Sequence, residues 1–250
     1  MAAVKAPPLD PVTLVARLES AGANAGFKFE HFGSAGGCPL IALTRRTSGP
    51  RPRIYLSAGI HGDEPAPPLA LLSMLEAGEF DGRATWFICP LLNPEGIARG
   101  TRENASGMDL NRDYRHLESP EVRSHVRWLE RQPNFDLAIC VHEDWESTGF
   151  YLYELNPTKR PSLAEPMIAA VSKVCPIDPS TLIEGREAKG GIIRPTANPF
   201  EREKWPEAIY LQAQHTTLSY TIESPSALGL EKRIAALRAA LRTAISRLCA

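Results

Sequence analysis

The run Ile54-Tyr-Leu-Ser-Ala-Gly59-Ile-His61-Gly-Asp-Glu64-Pro65 encodes a strand, a turn and a helix start. Its β-branched and aromatic opening reads as a buried strand, Gly59 lets the chain turn, and Pro65 suits a helix opening. His61 and Glu64 therefore fall just past the carboxyl end of a strand, where open α/β sheets gather their ligands. An imidazole and a carboxylate three residues apart on such a turn can face one divalent ion. Zinc takes that nitrogen and oxygen pair, and a catalytic zinc adds a third protein ligand and an open position for water. The pair alone is a weak signal. In a chain with six histidines, H-x-x-E also arises as a loop histidine followed by a glutamate that the helix dipole favours.

Upstream, Asp10-Pro11 opens a helix in which Val12, Val15 and Leu18 recur at helical spacing. Lys28–Phe32 and Pro39–Thr44 read as two strands joined by the glycine-rich turn Gly33–Gly37. Downstream, a helix is expected from Ala66 to Leu75. Thr85–Leu92 is a continuous apolar run, the mark of a strand covered on both faces, and it ends in the turn Asn93-Pro94-Glu95-Gly96. Ser119-Pro120 caps a further helix. Leu137–Val141 is another buried strand and runs directly into His142; Phe150–Glu154 is expected to be a strand, and Leu163–Val174 a helix. Leu218–Ile222 is a final strand ending at Glu223, and Gly229–Leu248 an amphipathic closing helix. The Gly-, Pro- and charge-rich stretch from Pro176 to Trp205 is expected to be a mobile loop of the kind that covers sites.

Strands alternating with helices imply an α/β fold with a mostly parallel, mixed central sheet and helices on both faces. No linker or repeat divides residues 1–250, so one domain is expected. Three strands end in a candidate ligand or base: His61 with Glu64, His142, and Glu223. That convergence strengthens the metal reading.

Composition narrows the classes. An apolar fraction of 43% is ample for a packed core, and a net charge of −1 gives no footprint for nucleic acid or an anionic membrane. No apolar run is long enough to span a bilayer. The opening Met1–Pro8 has neither a basic start nor a long apolar core, so a cytoplasmic protein is expected. The five cysteines include no C-x-x-C pair, and Cys89 and Cys140 lie in apolar runs, as buried thiols of a reducing compartment do.

Five segments together resemble the zinc carboxypeptidase family, between about residues 54 and 225: His61-Gly-Asp-Glu64, Asn93-Pro-Glu-Gly96, Arg102 to Asp109-Leu-Asn111-Arg112, Val141-His142 and Thr221-Ile-Glu223. Within that family the chain is most similar to the murein peptide amidase A branch. It departs where His142 is followed by Glu143–Phe150.

The resemblance implies one zinc ion held by His61, Glu64 and His142, with Glu223 as general base and Arg102 steadying the oxyanion. It also implies that Asn111 and Arg112 grip the substrate's free carboxylate and that Asp109 orients His61. Glu143 competes for the role of base, but on a strand its side chain points opposite to His142, which favours Glu223. The family also places a tyrosine near the reacting amide. Tyr210 is nearest by position, with Trp205 and Tyr151 as other candidates.

His31, His116 and His125 read as solvated or hydrogen-bonded histidines in polar surroundings, while His215 could enter the pocket. The implied activity is hydrolysis of an amide next to a free carboxylate in a small peptide, such as a murein-derived γ-D-glutamyl–diaminopimelate peptide. One rival is an N-acyl amino acid deacylase of the succinylglutamate desuccinylase/aspartoacylase type. The other is a non-catalytic binding protein on the same fold.

Overall fold

The computed structural model describes residues 8–250, so the amino-terminal reading on Met1 to Pro7 lies outside the described residues. The chain begins with α1 (Pro11–Asn24), where the Asp10 carboxylate accepts from the Val12 and Thr13 amides. The hairpin β1 (Lys28–Ala35) and β2 (Cys38–Arg45) follows, turning at Gly36-Gly37. Next come β3 (Arg53–Ser57), α2 (Ala66–Glu76), β4 (Thr85–Cys89), α3 (Pro94–Arg99) and α4 (Pro120–Leu129). The second half holds β5 (Leu137–Asp144), β6 (Tyr151–Leu155) and α5 (Ala164–Val171). It continues with β7 (Leu182–Ile183), β8 (Arg186–Lys189), β9 (Ile192–Ile193), α6 (Glu207–Gln214), β10 (Ser219–Pro225) and α7 (Leu230–Leu248).

Ten strands form one sheet in the order β1-β2-β4-β3-β5-β10-β6-β9-β8-β7. The four central strands, β4-β3-β5-β10, are mutually parallel. Antiparallel pairs flank them, with β1 and β2 on one side and β6 against β10 on the other. The expected parallel character is thus a property of the centre. The short turns joining β1 to β2 and β7 to β8 to β9 can only produce antiparallel neighbours. The stretch expected to be a loop accordingly supplies three strands. Each is four residues or fewer and punctuated by glycine, so no run in it is long enough to show a period.

Period-two alternation sorts the sheet's side chains. Ile54, Leu56, Ile139, Val141 and Ile222 pack with α1, α2, α5 and α7 on one face. Tyr55, Phe87, Ala138 and Cys140 pack with α4 and α6 on the other. Helices therefore cover both faces, as expected. α2 is apolar nearly all round because it lies between the sheet and α7.

A buried ion pair ties the closing helix to this core. Arg233 Nη1 donates to Glu143 Oε1 at 2.5 Å, with the two side chains 4% and 0% exposed. The other carboxylate oxygen accepts from the Ala66 amide at 3.0 Å, capping α2. Burial pushes the Glu143 carboxyl up to about 7, and Arg233 acts against that rise. Removing one member of such a pair leaves an uncompensated charge. Arg233→Met should therefore cost about 3–5 kcal/mol in urea unfolding at pH 8. The loss should be smaller at pH 5, where Glu143 is protonated and carries no charge to strand.

Candidate metal centre and catalytic cavity

The strand-to-helix turn after β3 is built by close backbone contact. Gly59 sits at φ +64°, and a Cβ on Gly62 would lie 1.9 Å from the Gly96 carbonyl carbon, so the turn rests directly on α3. Asn93 clamps the arrangement. Its Oδ1 accepts from the Gly96 amide at 2.9 Å, while Nδ2 donates to the carbonyls of Ile60 at 3.2 Å and Arg102 at 3.3 Å. The Asn93-Pro-Glu-Gly96 run thus holds the His61 turn and the Arg102 loop together.

This turn delivers His61 and Glu64 to the carboxyl end of the sheet, where β5 delivers His142. Glu64 Oε1 lies 2.5 Å from His61 Nδ1, and Glu64 Oε2 lies 3.1 Å from His142 Nδ1. All three side chains are 5% exposed or less, and one donor atom from each lies within 4.8 Å of the others. Burial alone would neutralise the Glu64 carboxyl, yet the two imidazoles hold it well below the usual range. Two nitrogens and a carboxylate oxygen, buried and aimed at one point, are the donor set that suits a zinc-class dication.

The remaining His61 nitrogen, Nε2, faces Asp109 Oδ1 at 3.2 Å. Asp109 Oδ2 accepts from Arg102 Nε at 3.0 Å, and Arg102 Nη1 approaches Glu64 Oε1 at 3.7 Å. A carboxylate on the outer nitrogen fixes the ring and raises its basicity. Burial works against a proton on His61, but Glu64 and Asp109 outweigh it and lift the imidazole from 6.5 to about 9. The metal-free protein therefore gains stability from this proton, fully below pH 6.5, and loses it as pH rises through about 9.

An ion entering the trio must displace that proton. Calorimetric titration in buffers of different ionisation enthalpy should show at least one proton released per metal ion near pH 7. Apparent affinity should rise about tenfold per pH unit up to about pH 9. Metal uptake with no proton release would contradict this donor assignment.

Glu223 stands beside His142 because β10 pairs in parallel with β5 in a register that sets Glu223 against His142. Residues paired across a sheet share a face. Glu223 is 9% exposed, and its Oε2 has no hydrogen-bond partner among the described residues. Burial, with Glu64 nearby, pushes its carboxyl well above the ordinary carboxylate value despite the opposing pull of His142. Glu143 faces the other way and is committed to Arg233 and α2.

A cavity of about 460 Å³ opens over the trio and is also lined by Arg102, Asn111, Arg112 and Glu223. Asn111 Oδ1 accepts from the Glu207 amide at 2.9 Å, which leaves its NH₂ as the free end. Arg112 Nη1 donates to the Asn111 carbonyl at 2.8 Å. The structure thus brings all eight residues singled out in the sequence into one neighbourhood.

The other candidates separate. Of the aromatic three, only Tyr151 lines the cavity. It pairs across β6 and β10 with Glu223, and its hydroxyl donates to Asp144 at 3.0 Å. Tyr210 packs instead against Tyr114 and His215, and Trp205 lies against Phe200. His215 stacks near Phe135 and stays out of the cavity.

His31 and His116 are exposed, with partners Glu19 and the Glu203 carbonyl. His125 is hydrogen-bonded, as expected, but its surroundings are aromatic rather than polar. It is 1% exposed among aromatic rings, bonded to the Tyr55 and Tyr114 hydroxyls at 2.9 and 2.7 Å. Burial depresses its pKa to about 3, so it is neutral.

Sequence reasoning missed Tyr153, Arg186, Arg202 and the buried Glu207. Tyr153 had a signal, since alternation along Phe150–Glu154 puts it on the face of Tyr151. Glu207 accepts from the Tyr55 hydroxyl at 2.6 Å and the Ser57 hydroxyl at 2.9 Å, contacts across about 150 residues that no local pattern announces.

A family model described as the succinylglutamate desuccinylase/aspartoacylase catalytic domain matches residues 50–190, more than half of the chain. Murein peptide amidase A of Escherichia coli K12 is 30% identical over 113 residues, which cover 45% of this chain and 46% of that protein. Carboxypeptidase 2 of Trichophyton rubrum is 27% identical over 133 residues, 48% of this chain and 24% of that protein. The matched stretches thus span less than half of either curated relative. A crystal structure from Shewanella amazonensis SB2B, described as a candidate metallopeptidase, is 26% identical. It superposes with a TM-score of 0.83 over 94% of this chain and 92% of that one. Among the described residues no helix is long and apolar enough to cross a membrane.

Proposed function

Because the chain belongs to the succinylglutamate desuccinylase/aspartoacylase catalytic-domain family, within the zinc carboxypeptidase-like group, we propose that it is a zinc-dependent hydrolase of an amide bond beside a free carboxylate. The observation that carries this reading is the register of β10 on β5. It sets an unpartnered Glu223 oxygen next to a buried trio of His61, Glu64 and His142. A zinc ion held by that trio supplies Lewis-acid polarisation of the carbonyl and lowers the pKa of water from about 15.7 to about 7.

The chain's own residues do the rest. Glu223 takes a proton from the attacking water and passes it to the departing nitrogen, a role its unpartnered Oε2 is free to fill. Arg102, fixed through Nε by Asp109, turns its Nη donors toward the developing oxyanion. Losing one such donor costs about 2.7–4 kcal/mol of barrier. Asn111 offers its NH₂ and Arg112 its forked guanidinium to the substrate carboxylate. Asp109 keeps His61 in the tautomer that presents Nδ1. The similarity to murein peptide amidase A makes a murein-derived peptide the first substrate to try. All five cysteines are free and four are buried, which supports a cytoplasmic location.

The family match itself favours a second reading, an N-acyl amino acid deacylase, in which the released amino acid again carries the carboxylate. The deciding experiment is turnover of γ-D-glutamyl–diaminopimelate peptides against N-acyl amino acids by the zinc-loaded protein, with and without chelator. Hydrolysis of only the acyl amino acids moves the protein to the second reading; none of either sinks both. In the same assay Arg112→Ala should raise KM about tenfold or more for substrates ending in a free carboxylate. An amidated analogue handled by wild type as well as the free acid would remove Arg112 from that role.

A further inference from the structure

Glu207, the first residue of α6, is 1% exposed, and the chemistry proposed above gives it no task. Its side chain and its backbone reach in different directions. Oε1 accepts from the Tyr55 hydroxyl at 2.6 Å and Oε2 from the Ser57 hydroxyl at 2.9 Å. Both hydroxyls belong to β3, the strand that leads to His61 and Glu64. The Glu207 amide donates the other way, to Asn111 Oδ1 at 2.9 Å. The first amides of a helix have no partner within it, and Pro206 before this one has no side chain that accepts. Asn111 supplies the missing acceptor from another loop. Only the carbonyl end of its side chain can do so, which turns the NH₂ away from α6. Asn111, Pro206 and Ala208 line the cavity, whereas Glu207 lies behind the wall.

The anchor on β3 is itself held in one direction. The Tyr55 hydroxyl is bonded to His125 Nε2 at 2.9 Å, and His125 Nδ1 to the Tyr114 hydroxyl at 2.7 Å. Because Tyr55 donates to Glu207, the ring must donate through Nε2 and accept through Nδ1. The row of bonds from Tyr114 thus ends on the Glu207 carboxylate, and both of its oxygens are met.

We propose that Glu207 is a positioning residue: it ties the loop carrying Asn111 to β3 and so fixes the span between the metal trio and the Asn111 donor. This rests on the hydrolase reading above, in which Asn111 meets the substrate's carboxylate. A substrate held at two points reacts only if the gap between them suits it. Misplacing such a grip by about 1 Å can cost on the order of 10²-fold. Reach, not charge, is then what the position requires. Glutamine has the same reach, accepts from Tyr55 through its oxygen and donates to a Ser57 hydroxyl that rotates to receive it. Aspartate keeps the charge but is one methylene too short to meet both hydroxyls without drawing α6 toward the sheet.

Glu207→Gln and Glu207→Asp separate the two properties, each made in the wild-type chain and with Asn111→Ala. The zinc-loaded proteins are assayed on the substrate that wild type turns over. Glu207→Asp should raise KM about tenfold and leave kcat within about threefold, whereas Glu207→Gln should stay within about threefold in both. With Asn111→Ala, Glu207→Asp should change KM less than about twofold, because the donor it positions is gone. A merely structural loss acts equally in both backgrounds. In parallel, calorimetry measures binding of diaminopimelate to the same proteins.

A KM effect of equal size in both backgrounds, a fall in kcat with KM unchanged, or a Glu207→Gln as impaired as Glu207→Asp overturns the positioning role. Each leaves the hydrolase reading standing. No turnover by wild type, with diaminopimelate binding weakened by Glu207→Asp only where Asn111 is present, supports the positioning role and removes the hydrolase reading. No turnover and no such coupling removes both. Should Glu207→Asp fail to fold, Ser57→Ala takes its place by removing one of the two anchors. It should raise KM about threefold with Asn111 present and not without it, and an equal effect or none overturns the role.

Discussion

Glu223→Gln should lose two to four orders of magnitude in kcat while keeping its metal and its fold, the range expected for a positioned general base (about 10²–10⁴). The substitution preserves volume and removes only the capacity to accept a proton. Glu223 is not among the three clustered donors, so metal content by elemental analysis should match wild type. Its Oε2 has no protein partner to lose, and the melting temperature should not fall. Removing a raised-pKa carboxyl from a buried position even relieves a desolvation cost. Turnover within tenfold of wild type would sink the assignment. Glu143, locked to Arg233, could not inherit the role without dismantling the packing of α7. A non-catalytic binder on this fold would show no turnover in either form, so the wild-type rate is the matching control.

Gly62→Ala should be the most damaging single-methyl change at the site. The added Cβ would sit 1.9 Å from the Gly96 carbonyl carbon and 2.3 Å from its Cα, both backbone atoms of α3. A flexible side chain could rotate away from such an overlap; a helix backbone cannot. Separating the turn from α3 would also break the Asn93 bridge to Ile60 and Arg102 and move His61 and Glu64 off the trio. Overpacking costs about 1–3 kcal/mol in a core that can adjust, and more here, where only backbone can yield. The expected result is loss of tight metal binding together with a drop in stability of about 3 kcal/mol or more. A variant that binds the ion with wild-type affinity would show the turn to be softer than its packing implies. Gly107 is a contrast at φ +75°, since no atom lies within 4 Å of its would-be Cβ and only backbone strain opposes alanine there.

Much of the architecture was legible because it is local. Continuous apolar runs at Thr85–Leu92 and Leu137–Val141 announce strands covered on both faces, and β4 and β5 lie at the sheet's centre. The turn at His61 and the cap at Ser119 follow from residue types at adjacent positions. Alternation also set Glu143 against His142 before any partner for it was known. The stretch 176–205 failed as a loop because two- to four-residue strands show no period, and their pairing with β6 is decided by neighbours far along the chain. His125 is hydrogen-bonded as expected, but its polar surroundings were misjudged because Arg123 and Arg127, two positions away on the same helix, make that stretch look solvated. Only the packing of α4 on the sheet put Tyr55 and Tyr114 on either side of it.

By itself the sequence determined which residue types stood at strand ends, and hence that His61 and Glu64 share one turn while His142 closes another strand. Short-range geometry suffices for that, since spacing along a strand or turn fixes direction. Tertiary structure alone decided that β10 lies against β5 in the register that sets Glu223 by His142. It alone seated Arg233 on Glu143 and brought Arg186 and Arg202 to the wall shared with Arg112. Those placements depend on which of several equally apolar strands become neighbours. That choice is made by the packing of the whole core, and no window of sequence contains it.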